Sequence, residues 1–207
     1  MCLAQFFGDL SDFQIIVSAT ALATFFYTVI HTAYTLIQKP KISLYPGDAV
    51  RIVVYPDGRA SAFHLMCNLV NKTIKVGTVH RLEVRVLGPQ NTTCNYIWGL
   101  FYKYLPGGQE VQKESDPYPV AVPKKDSKLL FVEFQAEANQ SCEWPEGKYE
   151  FKVIGWVNCK DRLRPFNLES IFHIRITQEN IHQLNTPNPI GPIYVTVPVI
   201  EWERQHR

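Results

Sequence analysis

The sequence predicts a mainly β protein, an antiparallel sandwich or barrel, with one membrane-spanning helix ahead of it. Three observations carry that expectation. Residues 15–37 contain no Asp, Glu, Lys or Arg. After Pro40, strand-like stretches recur at intervals of about eight to twelve residues with Gly/Pro turns between them. Helical patterns long enough to serve as βαβ crossovers are missing from that part, which excludes a parallel α/β fold.

At about 1.5 Å per residue the uncharged run makes a helix of roughly 34 Å, enough for a hydrocarbon core of about 30 Å. A cleaved signal peptide wants a basic n-region before its apolar core. Here the leader carries Asp9 and Asp12 and no Lys or Arg, and only a short apolar core precedes the candidate cleavage site Ala21-Leu22-Ala23. An uncleaved transmembrane helix is therefore expected over residues 13–38, after a short leader of residues 1–12. Lys39 and Lys41 follow directly, and basic flanks favour the cytoplasmic side, so the C-terminal domain is expected in the cytoplasm. Thr20, Thr24, Thr28, His31 and Thr35 recur at spacings of four, four, three and four and share one helical face. Such a stripe suits packing against another membrane helix or a second copy in a homodimer, although threonines that bond back to carbonyls one turn earlier need no partner. His31, ionisable and well along the span, is a functional candidate by its depth alone.

The chain has 207 residues and a formal net charge of +2. Beyond leader and span, roughly 165 residues remain, one domain able to bury a sizeable core, and residues 41–204 are read as that domain. A near-neutral balance leaves no electrostatic footprint for nucleic acid. Lys124-Lys125 and the run Lys160-Asp161-Arg162-Leu163-Arg164 read as solvated loops, with anionic headgroups as the alternative contact. Of the five cysteines, Cys67, Cys94, Cys142 and Cys159 fall in the domain and Cys2 outside it. None has zinc-site spacing. Sequence neighbours are separated by whole strands, beyond the Cα distance of about 7 Å that a bridge tolerates. Non-sequential pairings stay open, and free thiols in a reducing compartment are expected. Asn71-Lys-Thr, Asn91-Thr-Thr and Asn139-Gln-Ser match the glycosylation sequon and argue for the opposite side of the membrane.

Taken in order, an extended segment begins at Lys41 and the β-branched run Val50–Tyr55 follows, ended by Pro56-Asp57-Gly58. Phe63, Leu65, Cys67 and Leu69 alternate with polar or mixed residues, and Leu82, Val84 and Val86 alternate with charged ones, the clearest period-two pattern present. Residues 94–104 are aromatic on both faces, and 105–116 read as a loop around Pro106-Gly107-Gly108. Strands follow at 118–122, 128–134, 149–157, 172–176 and 193–201, with one helical turn over 178–184. Pro198 opposes Val195, Val197 and Val199, which suits an edge strand.

Glu146-Gly147-Lys148-Tyr149-Glu150-Phe151 resembles the acidic-Gly-x-Tyr-x pattern that opens strand F of immunoglobulin-like domains. The resemblance implies an antiparallel immunoglobulin-like β-sandwich in which Tyr149 forms a tyrosine corner, its hydroxyl bonded to upstream backbone. Phe151 stands where antibody domains carry their second cysteine, so the inter-sheet disulfide of that family is absent. In layout the chain also resembles uncharacterised prokaryotic single-pass membrane proteins, a likeness that brings no function.

No phosphate-binding loop, nucleophile elbow, zinc-protease motif or dinucleotide loop occurs. His80 is in phase with Leu82 and Val84 and reads as a core or rim histidine. Glu133, Glu137, Glu143, Glu146 and Glu150 form an acidic run that reads as a solvated face. The sequence therefore nominates no catalytic residue, cofactor or metal ligand. It leaves a membrane-anchored, non-enzymatic binding or scaffold module as the expected function. The alternatives are an accessory subunit of a transporter or channel packing through the Thr stripe, and an outward-facing carbohydrate- or peptide-active protein.

Overall fold

The computed structural model describes residues 3–56, 62–104, 111–137, 143–161, 163–186 and 191–203. The chain divides into two units, Met1–Lys39 and Pro40–Arg207. In the first, helix α1 runs over Leu3–Ile37, beginning ahead of the expected start, and its segment Ile16–Ile37 is long and apolar enough to cross a membrane. It stops where Gln38 N–H closes the last turn on the Tyr34 carbonyl, because Pro40 supplies no N–H and disfavours helical backbone at Lys39.

The second unit contains β1 (Ile42–Val54), β2 (Ala62–Asn71), β3 (Gly77–Leu87), β4 (Thr93–Tyr104), β5 (Val111–Ser115), β6 (Val120–Val122), β7 (Ser127–Ala136), β8 (Gly147–Val157), β9 (Leu168–Ile176), helix α2 (Gln178–Leu184) and β10 (Ile193–Glu203). The hydrogen-bonded order is β4-β7-β2-β1-β10-β9-β8-β3, and β3 pairs again with β4. The ladder thus returns on itself as an eight-stranded antiparallel barrel, which corrects the expected immunoglobulin-like sandwich. The closing pairs run from Glu83 opposite Ile97 to Leu87 opposite Thr93. Strand length explains the outcome: β1 has 13 residues and β4 has 12, against a usual five or six, and long twisted strands coil until the edges meet. Where β3 and β4 diverge, β5 pairs along Phe101–Tyr104 and β6 along Gly77–Val79, so each covers an exposed edge.

Two local readings also change. Residues 111–115, VQKES, lack an apolar face and were expected in a loop, yet they pair as β5. Pro198 lies in β10, a wall strand between β1 and β9 rather than an edge. It stands opposite Ala49 at the end of the β1–β10 ladder, where β1 leaves through the irregularity between Pro46 and Val50.

An eight-stranded barrel is just wide enough for side chains to fill. Phe63 lies with ring centroids 4.9 Å from Tyr96, 5.2 Å from Phe134 and 5.3 Å from Phe151, and Phe151 is 5.1 Å from Phe172. Trp144, from the loop before β8, closes this aromatic core against Tyr149 and Phe151. The Tyr149 hydroxyl donates to the Pro145 carbonyl at 2.7 Å, so the corner geometry forms, but within a barrel. Its ring presses on Gly88, where a Cβ would come within 2.6 Å of the Tyr149 Cε1.

Candidate functional site on the outer barrel wall

Alternation sends Ile52, Phe63, Phe134 and Val195 inward and their neighbours outward. Strand register then sets Thr196, Arg51, His64 and Glu133 in one lateral row across β10, β1, β2 and β7, on the outside of the barrel. Glu133 is nevertheless only 2 % exposed and His64 8 %, because Tyr102 and Tyr194 lie beside them. The ring centroid of His64 is 4.5 Å from that of Tyr102 and 5.5 Å from that of Tyr194.

The Glu133 carboxylate is saturated with donors. Its Oε2 accepts from His64 Nε2 at 2.9 Å and from the Tyr102 hydroxyl at 2.8 Å, and its Oε1 accepts from Gln135 Nε2 at 2.7 Å. An ionised carboxylate only accepts, so His64 carries its proton on Nε2. Burial alone would raise the Glu133 carboxyl, but the bonds from His64, Gln135 and Tyr102 hold it below its ordinary range. The same charge, added to burial, pushes the Tyr55 phenol up to about 12 and the Tyr102 phenol upward as well. Beside this cluster lies a cleft of about 150 Å³ lined by Asp48, His64, Met66, Tyr102, Phe131 and Thr196. Among the described residues no group of three or more His, Cys, Asp or Glu side chains is placed to hold a metal ion.

The reading of Glu133 as part of a solvated acidic run is thus overturned. Its partners His64 and Tyr102 are 69 and 31 residues away. Only strand register joins them, and no local spacing announces it.

The Thr stripe behaves differently. Thr20 Oγ1 donates to the Ile16 carbonyl at 2.7 Å, Thr24 to Thr20 at 2.8 Å, Thr28 to Thr24 at 2.7 Å and Thr35 to Thr32 at 2.8 Å. Each hydroxyl is satisfied within its own helix, the arrangement that needs no partner. His31 lies against the Tyr27 ring at a centroid distance of 5.8 Å.

Cys94 is disulfide-bonded, which corrects the expectation of free thiols. Cys67 and Cys159 are free, and the two remaining cysteines, Cys2 and Cys142, lie outside the described residues. Of the sequons, Asn71 is committed to structure. It is 1 % exposed, and its Nδ2, the atom a glycan would need, donates to the Lys75 and Val122 carbonyls at 2.7 and 3.1 Å. Asn91 ends a 3-10 turn, Pro89–Asn91. Asn139 lies outside the described residues, as do Asp57-Gly58, Pro106-Gly107-Gly108 and Arg162.

Scanned against protein-family models the chain matches none, and a search of curated proteins returns no match.

Proposed function

We propose that this chain is a membrane-anchored, non-enzymatic binding module: α1 holds it in the bilayer, and the barrel takes its ligand on the outer wall, in the cleft beside His64 and Tyr102. The observation that carries this reading is the saturated Glu133 carboxylate next to an open cleft. With both oxygens occupied and its carboxyl held below the ordinary range, Glu133 is a poor general base, but it fixes His64 and Tyr102 rigidly as the cleft's wall. Rigid, pre-positioned polar and aromatic groups are what recognition uses. Among the described residues, Phe63, Tyr96, Phe134, Phe151 and Phe172 in the barrel interior are wholly buried. At about 150 Å³, the cleft has room for one apolar side chain of a peptide against Met66 and Phe131.

Placement of the barrel is argued from two opposed signals. Lys39 and Lys41 favour the cytoplasm, whereas the disulfide at Cys94 favours an oxidising compartment. We take the second, because the charge bias rests on two lysines and large domains cross membranes largely regardless of charge. Panning a random-peptide library against the full chain tests the binding site. Enriched peptides are expected to bind Met66→Arg at least tenfold more weakly, since the new side chain fills the cleft. Equal binding to that variant would place recognition elsewhere.

A further inference from the structure

We propose that the end of the barrel at which Lys41 enters is a docking surface for anionic phospholipid, and that the wedge between β1 and β10 takes a headgroup. The lipid is that of the bilayer holding α1, so this inference rests on the anchor reading.

Three connections between strands converge on that end. Lys72 N–H bonds to the Lys41 carbonyl, Lys125 N–H to the Thr73 carbonyl, and Thr78 N–H to the Asn158 side chain, which brings the β2–β3, β6–β7 and β8–β9 connections beside the start of β1. They carry Lys72, Lys75, Lys124, Lys125, Lys160 and Arg164, against Asp126 and Asp161. At the opposite end, the connections, α2 included, carry Glu137, Glu143, Glu146 and Glu179, and no Lys or Arg among the described residues. The barrel is therefore polarised, basic where the chain arrives from its apolar helix and acidic at the far end. That asymmetry complements an anionic surface.

Apolar side chains stand among these cations. Leu163 is 95 % exposed, Val76 55 % and Ile74 38 %. Leu163 is held out by its own turn, in which its N–H bonds to the Asp161 carboxylate and Arg164 N–H to the Asp161 carbonyl. Single exposed apolar residues are ordinary on a protein surface. Three interspersed with lysines at one end match the composition of a surface that enters a headgroup layer.

The wedge follows from the irregularities in β1 and β10. Residues 42–46 of β1 pair with β2, and 199–203 of β10 pair with β9, so the two strands separate toward the Lys41 end. Between them lies a groove of about 550 Å³ lined by Lys41, Tyr45, Lys72, Phe166, Ser170 and Trp202, with Glu169 and Glu203 also at its wall. Glu169 is neutralised by Lys152 at 3.2 Å. Tyr45 and Trp202 pack at 4.8 Å, Lys72 Nζ lies 5.8 Å from the Tyr45 ring, and Trp202 Nε1 donates to Ser170. Lysine beside tyrosine and tryptophan is the side-chain set that settles at headgroup depth.

Hydrogen exchange of the full chain in nanodiscs tests the proposal, comparing neutral phosphatidylcholine with mixtures containing phosphatidylglycerol. Amides of residues 72–76 and those around Leu163 are expected to exchange at least threefold more slowly in the anionic discs, and residues 88–92 at the far end equally in both. The quadruple variant Lys72→Glu, Lys124→Glu, Lys160→Glu, Arg164→Glu is expected to lose the difference, with unchanged exchange at 88–92 reporting an intact fold. Equal exchange in the two discs, whether fast or slow, would overturn docking to anionic lipid. Failure of the chain to enter discs at all would instead overturn the anchor reading.

Discussion

Glu133→Ala is expected to destabilise the barrel by about 3–5 kcal/mol, the cost of removing one partner from a buried charged network. The substitution strips the acceptor from His64, Tyr102 and Gln135 together, and buried donors left without partners lose hydration that nothing replaces. Glu133→Gln keeps the shape and is expected to cost less than Glu133→Ala. The pH dependence separates charge from packing. Because the folded carboxyl lies below its ordinary value of 4.5, its contribution is fully present above that value and is lost as pH falls through the folded pKa. Thermal melts between pH 7 and pH 3 check this: the wild-type chain should lose stability below about pH 4.5, and Glu133→Ala should flatten that part of the curve. A melting temperature unchanged by Glu133→Ala at pH 7 would refute the network.

Phe63→Ala should cost a similar amount, about 3–5 kcal/mol, for a different reason. The side chain is wholly buried and three rings lie within 5.3 Å of its centroid, so they cannot all move in to fill the space. For a domain of this size each kcal/mol shifts the melting temperature by roughly 2–4 °C, so a drop on the order of 10 °C is expected in calorimetry. A hollow, ligand-filled lumen would tolerate the truncation. A loss below about 1 kcal/mol would therefore contradict the packed interior.

The strands were legible because their inward faces alternate: Leu82, Val84 and Val86 announce β3 without help from the rest of the chain. Closure was not legible, because it depends on β4 pairing with β3 on one side and β7 on the other, and a period-two pattern is identical in a sandwich and a barrel. The Tyr149 hydroxyl bonds to upstream backbone, but it does so in a closed barrel, so the fragment does not mark an immunoglobulin-like sandwich. A tyrosine bonded to the carbonyl four residues earlier is a local device that a barrel uses equally well. His80, expected at the core or its rim, lies at the rim beside a bulge. The register slips between Val79 and Arg81, so Val79 and Leu82 face inward and His80 is only half-buried. β5 escaped notice because its residues are polar, as suits an added edge. The outer-wall cluster was invisible for a deeper reason. Its polar members sit among outward positions that sequence assigns to solvent, and their burial arises only when neighbouring strands bring Tyr102 and Tyr194 across them.

Under the proposed anchoring by α1, the side of the membrane on which the barrel lies decides between the lysine flank and the disulfide. Cys159 is a free, half-buried thiol on the barrel, while Cys67 is buried in the core. Intact spheroplasts expressing the full chain would be treated with a membrane-impermeant maleimide and the Cys159 peptide followed by mass spectrometry. A barrel on the oxidising side gives modified Cys159 in the intact cells, with Cys94 still in its disulfide. Modification of Cys159 only after the membrane is permeabilised, with Cys94 recovered as a thiol, would contradict the account and return the barrel to the cytoplasm.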